Sequence, residues 1–184
     1  VHLEAEFDNG SRCLGESKIF YAKKLNDCRI RKIRLVPEHP QPLPDALEAI
    51  AEADVIVLGP GSLYTSIIPN FLVDGIAGAV SRARALKCYI LNIMTQDGET
   101  DGYTASDHIR AIFAHAGEDV IDVCIANNRK VSEEFLEPYR KEGVQQIMAT
   151  AEEVEKLGVA LREFPICTPG RYIRHNPDEL ARAI

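Results

Sequence analysis

Residues 54–66 read Asp-Val-Ile-Val-Leu-Gly-Pro-Gly-Ser-Leu-Tyr-Thr-Ser. Residues 55–58 are a short, wholly apolar run, the pattern of a strand buried on both faces of a parallel sheet. The run stops at Gly59-Pro60-Gly61 and passes into hydroxyls: Ser62, Tyr64, Thr65 and Ser66. Glycines let a backbone come close to a ligand, and free amides at a helix start, with hydroxyls beside them, can hold a phosphate. Gly59, Gly61, Ser62, Thr65 and Ser66 are therefore candidate ligand contacts. A tight strand-to-helix turn capped by hydroxyls has the same sequence, so the loop alone leaves both readings open.

The remaining chain supplies the frame for that loop. Residues 1–7, the Asn9-Gly10 turn and residues 11–20 read as a β-hairpin, because Asn-Gly suits a primed turn. Residues 30–36 form a further strand, stopped by the prolines between 37 and 44. Then follow a helix over 45–53, the strand 54–58, and one helical turn over 63–68 halted by Pro69. Asp74 is the expected N-cap of a helix to about residue 85. Residues 87–94 are a strand and 106–115 a helix capped by Ser106; 120–126 are a strand and 132–141 a helix. A short strand at 144–149, a small helix at 151–157, an irregular stretch over 159–173 and a closing helix at 177–184 complete the pattern.

Such alternation is an α/β fold, with a mostly parallel sheet covered on both faces, an N-terminal β-hairpin, and residues 1–184 in a single domain. Ligands bind such sheets outside the carboxyl ends of the strands. Three polar loops leave strands on that edge, 59–66, 95–104 and 127–130, and they are expected to share one crevice.

Net charge is -7, so the surface as a whole does not favour nucleic acid or anionic lipid, and any anion site must be local. No apolar stretch approaches the roughly 18 to 20 residues of a membrane span, so membrane insertion is not expected. The five cysteines are scattered and form no Cys-x-x-Cys pair, which suits reduced thiols and a cytoplasmic location. The chain begins with Val1 in an alternating strand, and the expectation is a piece of a longer protein.

The loop 95–104 carries alternate acids at Asp97, Glu99 and Asp101, a pattern that can place a divalent metal beside a nucleotide's phosphates. A solvated acidic turn is the plainer reading, and no metal ligand is assigned. Asn92, Thr95 and Gln96 are the expected polar contacts to a ligand there. His108 opens the next helix, where the positive helix start favours its neutral form; a surface histidine is the simpler reading. No Ser-His-Asp signature is present and no cysteine has an adjacent base, so covalent catalysis has no support. Arg171, Arg174 and His175 lie just before the last helix. Arginine binds phosphate bidentately and suits an anion clamp in an acidic chain, although pairing with carboxylates is open too. Tyr139 ends a helix, and stacks on a base or sugar or packs on the sheet.

Together these segments resemble the bacterial gluconeogenesis-factor (YvcK-like) family, within the wider 2-phospho-L-lactate transferase superfamily. The resemblance is carried by Gly15-Glu16-Ser17-Lys18-Ile19, Ala53-Asp54 and the twelve residues from Gly59 to Asn70. It continues with Asn92-Ile93-Met94-Thr95-Gln96, Gly98-Glu99-Thr100, Asp107-His108, Tyr139 with Glu142-Gly143, and Arg174-His175. It implies a Rossmann-like three-layer sandwich, of which this chain is the carboxyl-terminal part; the family's glycine-rich Gly-Gly-Gly-Thr-Gly-type loop is missing here.

The resemblance further implies a cytoplasmic protein that binds a nucleotide sugar such as UDP-N-acetylglucosamine, needed for cell shape and for growth on gluconeogenic carbon sources, with no established reaction. By motif position, family binding residues fall on Tyr139 and Arg174. Implied partners are cell-wall or cytoskeletal proteins and further copies of the chain, with no nucleic acid. Asn176-Pro177 stands where some members have Asp and a phosphorylatable Thr, and Asp74 stands where many have proline. The alternative is a magnesium-dependent transferase acting on a nucleotide diphosphate derivative, as in the transferase branch. That branch reads Gly-Pro-Ser-Asn-Pro where this chain has Gly59-Pro60-Gly61-Ser62-Leu63, which argues against it. Whether the chain belongs to an enzyme stays open at this point.

Overall fold

The computed structural model describes residues 1–26, 28–168 and 172–184. Strand β1 (His2–Phe7) pairs antiparallel with β2 (Arg12–Leu14) and, on its other side, with β3 (Ile30–Val36), giving the order β2-β1-β3. The expected hairpin is present, but residues 16–20 are not strand: they open helix α1 (Glu16–Asn26). Gly15, at φ 108, takes a backbone turn that other residues adopt poorly, and Glu16 puts negative charge in the first helical turn. Ile19 then faces the core while its neighbours Ser17 and Lys18 stay exposed.

Pro44 starts α2 (Pro44–Glu52), where its fixed φ suits the first turn. The central sheet is wholly parallel, in the order β4 (Val55–Leu58), β5 (Leu86–Ile90), β6 (Val123–Asn127), β7 (Ala160–Phe164). Alternate side chains go to opposite faces. Leu58, Tyr89, Cys124 and Leu161 join one cluster with helices α3 (Ile68–Phe71), α4 (Ile76–Arg82), α5 (Ala105–Ala116) and α7 (Ala151–Glu155). That cluster also contains Ala5, Phe7 and Ile33, so it unites the two sheets. Ile109 and Ile112 of α5 are fully buried in it, and burying such a side chain contributes roughly 1.5 to 3 kcal/mol. On the opposite face Cys88, Ile90 and Ile125 pack with Ile166 under Leu180 and Ala183 of α8 (Pro177–Ala183). Helices on both faces of a parallel sheet make the Rossmann-like three-layer sandwich that the alternation implied.

Several local expectations are corrected. Among the described residues β4 pairs with β5 alone, and Val55 and Val57 are 39% and 43% exposed rather than buried on both faces. Residues 63–67 form a π-helical turn that runs directly into α3, and Pro69 sits in the first turn of α3 instead of halting it. Asp74 caps no helix: its carboxylate takes His39 Nδ1 at 3.1 Å and Gln41 Nε2 at 3.1 Å, while Gly75 precedes α4. Helix α5 is capped by Thr104, not Ser106, through a reciprocal box with Asp107. The stretch 144–149 makes one antiparallel bridge, Met94 to Gln146, and no strand. Conversely β7 lies in the stretch read as irregular; its exposed Arg162 and Glu163 hide the apolar signal. The hairpin of β8 (Cys167–Thr168) and β9 (Arg174–His175) lies there too.

Candidate functional site

The loop after β4 and the loop after β5 are bonded directly to each other. Gly59 takes φ 80, and a Cβ there would come within 3.1 Å of Ile67 Cδ1 and 3.4 Å of the Ile90 carbonyl oxygen. This position therefore requires glycine, and the chain turns back close against the end of β5. Asn92 Nδ2 donates to the Gly61 carbonyl at 2.8 Å, and the Ser62 hydroxyl donates to Gln96 Oε1 at 2.8 Å. Gln96 is fixed in turn by its N–H bond to Thr100 Oγ1 at 2.9 Å. Gly59, Gly61, Ser62, Asn92 and Gln96 are thus brought together on the carboxyl edge of the sheet. Thr65 lies one helical turn further in, and Ser66 is exposed beside Gly59 and Gly61 in a second cleft.

Thr95 is placed differently from its expectation. It is buried, its N–H donates to the Gln145 carbonyl at 2.8 Å, and its hydroxyl accepts the Gln145 N–H at 3.0 Å. It is a tie between loops. The third loop joins the same edge through that tie. Asn127 Nδ2 donates to the Arg129 carbonyl at 2.8 Å, and Gln146 Nε2 reaches the same carbonyl at 3.4 Å. The Arg129 guanidinium donates to the Cys167 carbonyl at 2.8 Å.

Tyr139 ends α6 (Glu133–Lys141), with its ring against Ile93, Val131, Cys167 and Ile173, and its phenol oxygen accepts the Ile173 N–H at 2.8 Å. Packing therefore holds the ring in this structure. Arg174 is exposed, with its guanidinium carbon 5.5 Å from the centre of the Tyr172 ring. Its neighbour His175 bonds the Leu91 carbonyl through Nε2 at 3.0 Å, which pins the β8–β9 hairpin to the chain leaving β5. Arg171 lies outside the described residues.

Glu99, one of the three alternate acids expected either to place a metal or to stay solvated, is neither exposed nor part of an acidic cluster among the described residues. It is only 4% exposed, and neither carboxylate oxygen has a partner in hydrogen-bond geometry. Burial pushes its pKa up from 4.5 to about 6, against the Thr65 hydroxyl and the amides of Tyr64, Thr65 and Leu63, which favour its ionised form. Those amides are the helix start that the loop's sequence offered to a phosphate, and a carboxylate already faces them. The loop is set by Gly98, at φ 74, where a Cβ would meet the Phe20 ring at 2.8 Å. Phe20 belongs to α1, and α1 brings Glu16 and Ser17 to the same cavity of about 200 Å³, lined also by Ser62, Thr65, Gln96 and Glu99. Nothing in the sequence marks Glu99 as buried. Only the Gly98-Glu99 dipeptide hints that the loop packs closely.

Beneath the site lies a ring cluster. Tyr64 and Tyr103 share a hydroxyl bond of 2.8 Å, and Tyr103 stands edge-on to His108. His108 is fully buried, contrary to the surface position expected, and burial lowers its pKa. Its Nδ1 bonds the Thr104 carbonyl at 2.8 Å, which assigns the proton to that nitrogen. None of the five cysteines forms a disulfide, and burial raises the pKa of Cys88, Cys124 and Cys167. Among the described residues no single helix is long and apolar enough to cross a membrane.

Comparison with known proteins agrees with this architecture. The model of the family described as 2-phospho-L-lactate transferase CofD matches residues 1–167. A protein named gluconeogenesis factor from Halalkalibacterium halodurans is 40% identical over 185 residues, covering 100% of this chain and 56% of the relative. One from Listeria innocua is 43% identical over 183 residues, covering 99% and 55%. A crystal structure of a UPF0052 family protein from Bacillus halodurans superposes with a TM-score of 0.94 at 40% identity, covering 100% of this chain and 58% of that one. The chain thus spans a little over half the length of the curated relatives it matches. It belongs to the 2-phospho-L-lactate transferase CofD family, on the side of the proteins named gluconeogenesis factor.

Proposed function

We propose that this chain forms the carboxyl-edge part of a nucleotide-sugar site in a gluconeogenesis factor. The observation that carries the reading is the pair of bonds Ser62–Gln96 and Asn92–Gly61, which fuse two polar loops at the strand ends where α/β sheets bind ligands. A UDP-sugar such as UDP-N-acetylglucosamine would lie with its diphosphate along the backbone of Gly59, Gly61 and Ser62. Glu99 stands against the amides beyond. Arg174, exposed on the hairpin that His175 pins to the same edge, would supply the cation, with Tyr139 holding that hairpin in place. The cytoplasmic location, the role in cell shape during gluconeogenic growth, and association with cell-wall or cytoskeletal proteins or further copies of the chain are part of the same proposal.

Titration calorimetry with UDP-N-acetylglucosamine tests it. Arg174→Ala should weaken binding about 10- to 100-fold, the range for losing a charged hydrogen bond. Unchanged affinity would remove Arg174 from the site.

A second reading is favoured by the description of the matching family: a magnesium-dependent transferase acting on a nucleotide diphosphate derivative. Glu99 offers one buried carboxylate, the minimum for a magnesium ion otherwise held by phosphate oxygens and water. Among the described residues no three His, Cys, Asp or Glu side chains gather to hold a metal. Turnover that vanishes in Asp97→Asn would support this reading. Binding that ignores magnesium, without turnover, would count against it.

A further inference from the structure

Beside the diphosphate position lies a cavity that the phosphate-binding reading of the loop does not use. Glu99 lines it, buried; its carboxylate faces the Thr65 hydroxyl and the Leu63, Tyr64 and Thr65 amides, yet neither oxygen makes a hydrogen bond of good geometry, so a further donor reaching it is favourable. The cavity is lined also by Ser17, Ser62, Thr65 and Gln96, and by a second acid, Glu16. No Lys, Arg or His among the described residues lines the cavity. A phosphate entering it would meet two carboxylates and, among the described residues, no cation. At about 200 Å³ it falls below the roughly 300 to 1,000 Å³ of sites that enclose a whole drug-sized ligand. What it suits is a small neutral group rich in O–H and N–H donors.

We propose that this cavity is a sugar subsite, in which the Glu99 carboxylate accepts hydrogen bonds from the hydroxyls of a neutral sugar ring while Ser17, Ser62 and Gln96 complete its polar rim. This rests on the nucleotide-sugar reading above and extends it to a residue and a ligand moiety. Position supports the connection. Ser62 belongs both to the loop that would carry the diphosphate and to the cavity wall, so a sugar on a diphosphate held at Gly59, Gly61 and Ser62 enters beside Glu99. The cavity is also rigid. Gly98 is held against Phe20, Gln96 is held by Thr100, and the Glu99 N–H donates to the Gln96 carbonyl at 3.0 Å. A carboxylate fixed in this way can select donors without paying to order itself.

The test compares UDP-N-acetylglucosamine with UDP, by titration calorimetry on the chain, on Glu99→Gln and on Ser17→Ala, with and without magnesium. Glu99→Gln should weaken UDP-N-acetylglucosamine at least about tenfold and leave UDP unchanged, as expected for one lost charge-assisted bond. Ser17→Ala, at an exposed position, should weaken the sugar nucleotide in the same direction by less. Equal losses for both ligands, tighter UDP binding in Glu99→Gln, or a loss seen only with magnesium would each overturn the proposal. If the wild-type chain binds neither nucleotide, the nucleotide-sugar reading itself fails. The cavity is then judged by carboxyl-carbon NMR of Glu99 with the methyl glycoside of N-acetylglucosamine and with inorganic phosphate. The glycoside should move the resonance and phosphate should not; no response to the glycoside overturns the subsite.

Discussion

The Ser62 hydroxyl donates to Gln96 Oε1 at 2.8 Å, joining two loops that are 34 residues apart in sequence and leave neighbouring strands. Ser62→Ala removes the donor and leaves a partly buried amide oxygen without it. The expected cost is about 1 kcal/mol in urea unfolding, with a larger effect on UDP-sugar affinity than on stability. A loss of stability with unchanged affinity would make this bond structural only.

Gly98→Ala is expected to be costly for two separable reasons: φ is 74, and the new Cβ would stand 2.8 Å from the Phe20 ring. Gly117→Ala provides the comparison, since φ is 85 there and nothing lies within 4 Å. Gly117→Ala should cost about 1 kcal/mol and Gly98→Ala roughly 1 to 3 kcal/mol more, read from thermal unfolding. Equal losses would show that α1 does not press on the loop.

The pH dependence isolates Glu99. Its carboxyl is raised from 4.5 to about 6, so the folded state binds more protons than the unfolded chain between those values. Stability from this group therefore falls as pH rises through that window, by an amount on the order of 2 kcal/mol. Three histidines act in the opposite sense: desolvation of the buried His108 and of the half-buried His115 and His175 favours their neutral forms, so their contribution is lost as pH falls below about 6.5. Glu99→Gln removes only the first effect. The stability of Glu99→Gln relative to wild type should rise between pH 4.5 and 6.5 and then level off. A difference independent of pH would mean that the carboxyl is not perturbed.

Thr104→Ala breaks the reciprocal bonds with Asp107 at the start of α5 and is expected to cost about 0.5 to 2 kcal/mol. Hydrogen exchange should quicken first in the opening turn of α5. Ser106→Ala should not reproduce that exchange pattern, because the Ser106 hydroxyl bonds the side chains of Thr104, Arg110 and Glu153 and no amide of the first turn.

What could be read from the sequence followed from periodicity. The strand 30–36 is legible residue for residue, from β-branched and apolar residues interleaved with Arg31, Lys32 and Arg34 and stopped by Pro37, and 55–58 from a wholly apolar run closed by Gly59. That Val55 and Val57 are exposed is a property of strand order, which no local pattern encodes. Residues 16–20 alternate weakly enough to suit a strand; the positive φ of Gly15 and the packing of Ile19 decide for helix. Strand β7 went unseen because Arg162 and Glu163 interrupt it. Of the site, the loop glycines, Ser62, Asn92 and Gln96 were legible, since their side-chain chemistry and strand-end position can be read from sequence alone. Glu99 was legible as an acid that could serve a metal but not as a buried one, because an acid in a polar loop looks solvated until α1 closes over it. Thr95 misled for the converse reason: its hydroxyl is used up by Gln145.

The most direct measurement is hydrogen exchange of the chain with and without saturating UDP-N-acetylglucosamine. Amides of 59–66 and 92–100 should become protected together, with the β8–β9 hairpin following. Protection confined to α2 and α4, or no change at the carboxyl edge while binding is seen by calorimetry, would contradict the placement of the ligand site on that edge.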